Sequence, residues 1–135
     1  MDIIRLPFAE TAAIDRGRWR ALRVEFGSSG ALGVVQRALA EIADSCAMMQ
    51  AAAERGDNGR AARQARRIGR IACEIGLTRA SQVATGAVLC AEAGDRIALT
   101  AVSARLERIA RDVEAGFQTQ DRGAPGTRGA EPVPG

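Results

Sequence analysis

The sequence contains no histidine and no lysine among its 135 residues, since all 19 basic residues are arginine. The lack of imidazole excludes histidine general bases, phosphohistidine chemistry, Ser-His-Asp and Cys-His catalytic arrangements and histidine-ligated metals. The lack of lysine excludes Schiff-base and P-loop chemistry. The glutamates show no spacing that would bring two carboxylates together, and no nucleophile has an evident base. We therefore predict a protein that is not an enzyme and that uses no metal or cofactor.

Aromatic residues, long apolar runs and paired cysteines are also scarce. Aromatics make up 3% of the chain and tyrosine is absent, which disfavours a sheet-rich domain. No apolar run reaches the length of a membrane span, and the first residues lack the pattern of a signal peptide. Cys46, Cys73 and Cys90 fit neither a disulfide framework nor a zinc site, so we interpret them as small buried apolar residues. These features predict a cytoplasmic protein.

What the sequence does contain is helix-forming residues with helical periodicity. Apolar residues make up 47% of the chain, and Ala, Leu and Arg dominate it. Leu32, Val35, Leu39 and Ile42 recur at intervals of three and four residues, as on one face of a helix. The spacing predicts helices over 14–26, 32–54, 58–75, 78–94 and 96–117, separated by turns rich in Gly, Asp and Asn. Short links between long helices predict an all-α, up-down four-helix bundle with a short extra N-terminal helix.

The two ends of the chain differ from this central part in composition. Residues 1–13 contain a few apolar residues around Pro7 and are predicted to form an extended N-terminal arm, with a short strand as an alternative. Residues 118–135 are rich in Gly and Pro and contain one large aliphatic residue, Val133. Such a segment buries too little apolar surface to offset its ordering entropy. We therefore predict an arm over 1–13, a helical bundle over 14–117 and a disordered tail over 118–135.

The third predicted helix carries most of the functional information. Its basic residues define what we call the arginine face: Arg60, Arg63, Arg66, Arg67 and Arg70. At about 100° per residue these side chains share one side of the helix, opposite a narrow apolar seam. A solvated helix face normally mixes charges of both signs, but this segment contains a single acid, Glu74. Gly69 costs the helix about 1 kcal/mol relative to alanine. Tight helix packing or the close approach of another chain would explain it.

The sequence ARRIGRIACEIG over 65–76 resembles the central signature of histidine-containing phosphotransfer (HPt) domains of bacterial two-component signalling, A-H-x-L-K-G-x-A-x-x-[IL]-G. The resemblance extends over 14–117 through the spacing of the turns, and Gly94-Asp95 looks like the turn before the family's last helix. The resemblance implies a four-helix scaffold and a surface that docks signalling partners.

The functional positions of the family signature are changed in this chain. Arg66 aligns with the phosphorylatable histidine, Gly69 with the lysine that helps to hold the phosphoryl group, and Arg70 with the glycine that admits the receiver's loop. A guanidinium can pair with a phosphate or carboxylate but cannot relay a phosphoryl group as imidazole does. The resemblance therefore implies a pseudo-HPt module that binds a response-regulator receiver domain or a histidine kinase without accepting phosphate. Partner-binding roles fall to Arg66 at the partner's acidic pocket, Arg63, Arg67 and Arg70 in steering, and Gly69 in close approach.

Two alternatives remain open from the sequence. The arginine face can track the phosphates of a nucleic acid, although the net charge of the chain is only +3 and no aromatic residue lies near the face for base stacking. The Ala-rich stretches around 51–53 and 80–87 can bring helices close together, within the chain or in a homodimer with a structural role. Both alternatives leave the predicted fold unchanged.

Overall fold

Within residues 3–5 and 13–123, which the computed structural model describes, the chain forms a short hairpin followed by four helices. The all-α, four-helix bundle predicted from the sequence is confirmed. The elements are β1 Ile3–Arg5, β2 Ala13–Asp15, α1 Arg16–Glu54, α2 Asn58–Glu74, α3 Thr78–Ala93 and α4 Arg96–Gly123.

Helix α1 contains both the extra N-terminal helix and the first helix of the bundle. The two are separated by a kink at Gly27, whose φ of 77° and ψ of 171° lie outside the helical region. A positive φ of this kind costs little only for glycine, which explains why the break falls at this residue. The predicted link over 27–31 is therefore shorter than expected, and the helical path resumes directly after the kink.

The N-terminal hairpin changes the predicted start of the first helix. Ile14 was expected to be helical, but it lies in β2 and pairs with Ile4 of β1 in an antiparallel register. Helix α1 begins at Arg16 because the Asp15 carboxylate accepts hydrogen bonds from the backbone N–H groups of Gly17 and Arg18. The alternative of a short strand in the arm thus holds for Ile3–Arg5, while 1–2 and 6–12 lie outside the described residues.

At the other end of the chain, α4 continues beyond the predicted limit at Phe117 and ends at Gly123. The predicted start of the tail at residue 118 is therefore wrong, because residues 118–123 belong to α4. Residues 124–135 lie outside the described part of the chain, and for them disorder stays a prediction. The ring of Phe117 packs on Trp19 with the ring centroids 4.9 Å apart, which attaches the start of α1 to α4.

The arrangement of the helices follows from the short turns between them. Asp57 caps α2 by accepting from the Arg60 backbone N–H, and the Asp95 side chain accepts from Ala98 at the start of α4. Helix α2 packs against α1 and α3, and α4 packs against the same two helices. Helices α2 and α4 consequently occupy opposite corners of the bundle, so their outward faces point in opposite directions.

Small residues allow α2 to approach its neighbours closely. Its buried residues are mostly alanines around one branched side chain, and they are Ala61, Ala62, Ala65, Ile68 and Ala72. Because this seam must face the core, the rotation of α2 about its own axis is fixed. The opposite side of the helix, with its arginines, is thereby directed to the solvent.

The expectation that all three cysteines are buried is correct only for Cys46. Burial is the main cause that raises the pKa of the Cys46 thiol to about 11, with a further contribution from the charge of Glu107. Cys73 is exposed on α2 and Cys90 is partly exposed on α3, so neither has the environment that the sequence predicted.

We expect Gly76→Ala to destabilise the fold by about 2–4 kcal/mol. Gly76 has a φ of +79°, and an added Cβ would lie 2.9 Å from Cβ of Arg18 and 3.1 Å from Cβ of Asp15. Gly56→Ala is the matched control, because its φ is +75° but nothing lies within 4 Å of an added Cβ. It should cost only about 1–2 kcal/mol of backbone strain. Urea unfolding of both variants measures the difference, and equal losses of stability would show that the close contacts of position 76 with Arg18 and Asp15 contribute nothing.

Candidate docking face

The arginine face lies on the exposed side of α2, as its spacing predicts. Arg60, Arg63, Arg66, Arg67 and Arg70 are all exposed, whereas Ala61, Ala65 and Ile68 between them are fully buried. Arg60 stays close to the start of its own helix, where its Nε lies 3.8 Å from Oδ2 of the capping residue Asp57. The other four arginines divide into two that contact neighbouring helices and two that do not.

Arg66 is turned towards α3 and forms an ion pair there. Its Nη2 donates to Oε2 of Glu92 at 2.5 Å, and the two side chains are 50% and 51% exposed. At this exposure an ion pair contributes about 0.2–1 kcal/mol, because water screens both charges and the side chains lose freedom. The Arg66 guanidinium is therefore held over the α2–α3 seam by a contact that a stronger ligand can displace.

Arg67 is turned the other way, towards α1, and is held by two contacts. Its Nη2 donates to Oε1 of Glu41 at 3.3 Å, and its Nε donates to Oγ of Ser45 at 3.1 Å. Ser45 is a buried residue with 1% exposure, so this second hydrogen bond fixes the base of the guanidinium against the bundle. Arg67 thus acts mainly as a clamp between α1 and α2.

Arg63 and Arg70 lie between these two flanks and form no ion pair with a described residue. They are two helical turns apart, which separates their Cα atoms by about 10 Å along the helix axis. Both are exposed. The centre of the arginine face therefore offers two guanidiniums whose donors are available to an external oxyanion.

The positive charge of the arginine face is partly balanced by carboxylates on neighbouring helices. Within α2 the repulsion exists, but Glu92 and Glu41, each 26 residues distant in sequence from the arginine that it contacts, offset it from the neighbouring helices. The pattern within α2 predicted neither the two carboxylates nor Ser45 as partners of the arginines. One signal was present for Ser45, since Ser45 and Arg67 lie equally far from Gly56 in an antiparallel pair of helices.

Gly69 lies beside the face, in an open groove of about 390 Å³ between α2 and α3. A Cβ added to Gly69 would lie 3.6 Å from Cβ of Ala84, an ordinary packing distance. The packing of α3 therefore does not require a glycine at this position, and the absence of a side chain leaves the groove open. The side of the groove that α3 forms includes Leu89, which is 64% exposed, and Arg66 and Arg70 line the side that α2 forms.

The chemistry that this surface offers is ionic and apolar contact. Guanidiniums bind carboxylates and phosphates through charge-assisted, often bidentate hydrogen bonds, and they stay protonated at neutral pH. Among the side chains described in the structure, no group of three or more Cys, Asp or Glu residues could hold a metal ion. None of the described helices combines the length and the apolar character that crossing a bilayer requires.

The five residues predicted to bind a partner are thus brought to one surface, but they are not equivalent. Arg63 and Arg70 are available, Arg66 is held by Glu92, Arg67 is anchored to α1, and Gly69 lines the adjacent groove. Comparison with family models, with curated proteins and with solved structures finds no match to this chain.

Proposed function

We propose that this protein is a pseudo-HPt module of a bacterial two-component phosphorelay. It binds the receiver domain of a response regulator, or a histidine kinase, through the arginine face and does not accept a phosphoryl group. The module acts in the cytoplasm, where it competes with phosphorylatable partners for the same receiver by mass action.

One observation carries this proposal. Four exposed arginines lie at the middle of an outward helix face, and the resemblance aligns one of them, Arg66, with the phosphoacceptor histidine. Receiver domains of the family present an acidic pocket around the phosphorylatable aspartate. A positive surface opposite a negative pocket accelerates encounter and fixes the register of the complex.

The contacts of the individual arginines suggest a different role for each of them in partner binding. Arg63 and Arg70 make the first ionic contacts because no described carboxylate holds them. Arg66 joins them when the partner's acidic group replaces Glu92, and the groove beside Gly69 accepts an apolar edge of the partner. A protonated guanidinium has no lone pair for attack on phosphorus. Binding of the partner is therefore not followed by transfer of a phosphoryl group to this chain.

Nucleic acid is the less favoured ligand. Three of the five arginines lie within 4 Å of carboxylate oxygens on their own chain, which reduces the number of phosphates that the face can neutralise. The groove beside the face contains no aromatic side chain on which a base could stack.

The proposal is tested by titrating the chain with each receiver domain of the organism that encodes it, at two salt concentrations, in a calorimeter. We expect at least one receiver to bind with an affinity that falls as salt rises, and a random DNA duplex to bind more weakly than that receiver. Absence of binding to every receiver would contradict the proposal, and tighter binding of the duplex would favour the nucleic-acid alternative.

A further inference from the structure

The Arg66–Glu92 contact gives the arginine face a built-in competitor for its ligand. Glu92 presents a carboxylate to the guanidinium at 2.5 Å, which is the same chemical group that an acidic partner would present. The contact is half exposed and lies at the edge of the α2–α3 groove, whose lining includes Arg66. A partner that uses Arg66 must therefore first displace Glu92.

We propose that Glu92 is a specificity-determining residue of the arginine face. It occupies Arg66 as an internal carboxylate and lowers the affinity of the face for external oxyanions. Weak encounters with ordinary acidic surfaces are thereby disfavoured, and a partner that concentrates several negative charges at this point displaces Glu92 more readily than such surfaces do. This inference rests on the proposed function only in the identity of the partner, because competition for Arg66 exists for any oxyanion.

Two features of the chain separate competition from a purely structural ion pair. Among the described residues, only Glu92 forms a hydrogen bond or ion pair with the Arg66 side chain, so loss of Glu92 leaves the guanidinium free. Arg67 makes a similar pair with Glu41, but its hydrogen bond to the buried Ser45 would hold it in place after that pair is lost. The two carboxylates are 51% and 52% exposed, so they form a matched pair of sites for mutation.

The experiment compares Glu92→Gln with Glu41→Gln in the full chain. Both substitutions remove one negative charge and preserve side-chain size, so long-range attraction rises equally in the two variants. Inorganic phosphate is the first probe, and its binding is followed through the Nε–Hε NMR signal of Arg66. We expect Glu92→Gln to lower the half-saturating phosphate concentration about three- to fivefold, which corresponds to the loss of an exposed ion pair. Glu41→Gln should change it by less than about 1.5-fold, the effect of net charge alone.

The background variant Arg66→Gln tests whether the effect passes through Arg66. In that background, phosphate binding is followed through the signals of Arg63 and Arg70. Glu92→Gln should then lower the half-saturating phosphate concentration no more than Glu41→Gln does. Equal effects of Glu92→Gln and Glu41→Gln in the chain with Arg66 would overturn the inference, as would weaker binding in Glu92→Gln.

A second titration, with a receiver that binds the unmodified chain, separates the inference from the proposed function. Tighter binding of that receiver by Glu92→Gln than by Glu41→Gln supports both the proposed function and the competition by Glu92. If no receiver binds any variant while the phosphate result holds, the proposed function fails and the competition by Glu92 stands. If receivers bind but Glu92→Gln and Glu41→Gln behave alike with both ligands, the competition by Glu92 fails and the proposed function stands.

Discussion

Reversing two charges at the centre of the arginine face, Arg63→Glu with Arg70→Glu, should weaken receiver binding at least about 100-fold. Each substitution replaces an attraction by a repulsion, and opposed like charges at an interface cost several kcal/mol. Calorimetric titration with the receiver measures the loss. Both residues are exposed and form no ion pair with a described residue, so the free energy of unfolding should change by less than about 0.5 kcal/mol.

The matched control for this prediction is Arg108→Glu with Arg111→Glu. Both residues are exposed on α4, which occupies the corner of the bundle opposite α2. The control changes the net charge of the chain by the same amount but leaves the arginine face intact. We expect a less than fivefold effect at physiological salt, where charges farther apart than about 8 Å are largely screened. If both double variants lose affinity equally, net charge and not the arginine face governs binding.

The second large effect is a gain of function. The triple variant Arg66→His, Gly69→Lys, Arg70→Gly places the HPt signature residues at the three positions that the resemblance aligns with them, and we expect it to take up a phosphoryl group from a phosphorylated receiver. The imidazole nitrogen would attack phosphorus of the aspartyl phosphate, and the receiver's carboxylate would leave. Transfer of a radioactive label to the chain measures the gain.

The structure tolerates these three changes. Position 66 is half exposed, and a side chain at position 69 would meet Ala84 at an ordinary packing distance. Glycine at position 70 costs about 1 kcal/mol in a helix interior. The control, Arg66→Gln with Gly69→Lys and Arg70→Gly, has the same surroundings without the imidazole and should stay unlabelled. An unlabelled triple variant that still binds the receiver would mean that position 66 does not occupy the phosphoacceptor site.

Most of the fold could be predicted from the sequence because local signals specify it. Capping carboxylates at Asp57 and Asp95 and the glycines after α2 and α3 fixed the helix limits to within a residue or two. Near the two ends of the chain, local signals were insufficient to predict the limits of the helices. Ile14 joins β2 because β1 returns to pair with it, and α4 passes Phe117 to end at Gly123. A strand partner from elsewhere in the chain is invisible to a periodicity argument.

The candidate site was predictable in its location but not in its internal contacts. The periodicity of α2 places the arginines outward, and the structure agrees. Which arginine is free depends on the register between helices, and that register is set by side-chain packing across the bundle. The contacts of Arg66 with Glu92 and of Arg67 with Glu41 join different helices, so no pattern within α2 could predict them. The resemblance therefore predicts the leading role for Arg66, whereas Arg63 and Arg70 are the arginines of the face that form no ion pair with a described residue.

Binding without phosphoryl transfer can be measured for both properties in one sample. The chain is mixed with each radioactively phosphorylated receiver, and the mixture is divided between a native gel and a denaturing gel. We expect one receiver to shift on the native gel while the 14.2 kDa chain carries no label on the denaturing gel. A labelled 14.2 kDa band, or no shift with any receiver, would contradict it.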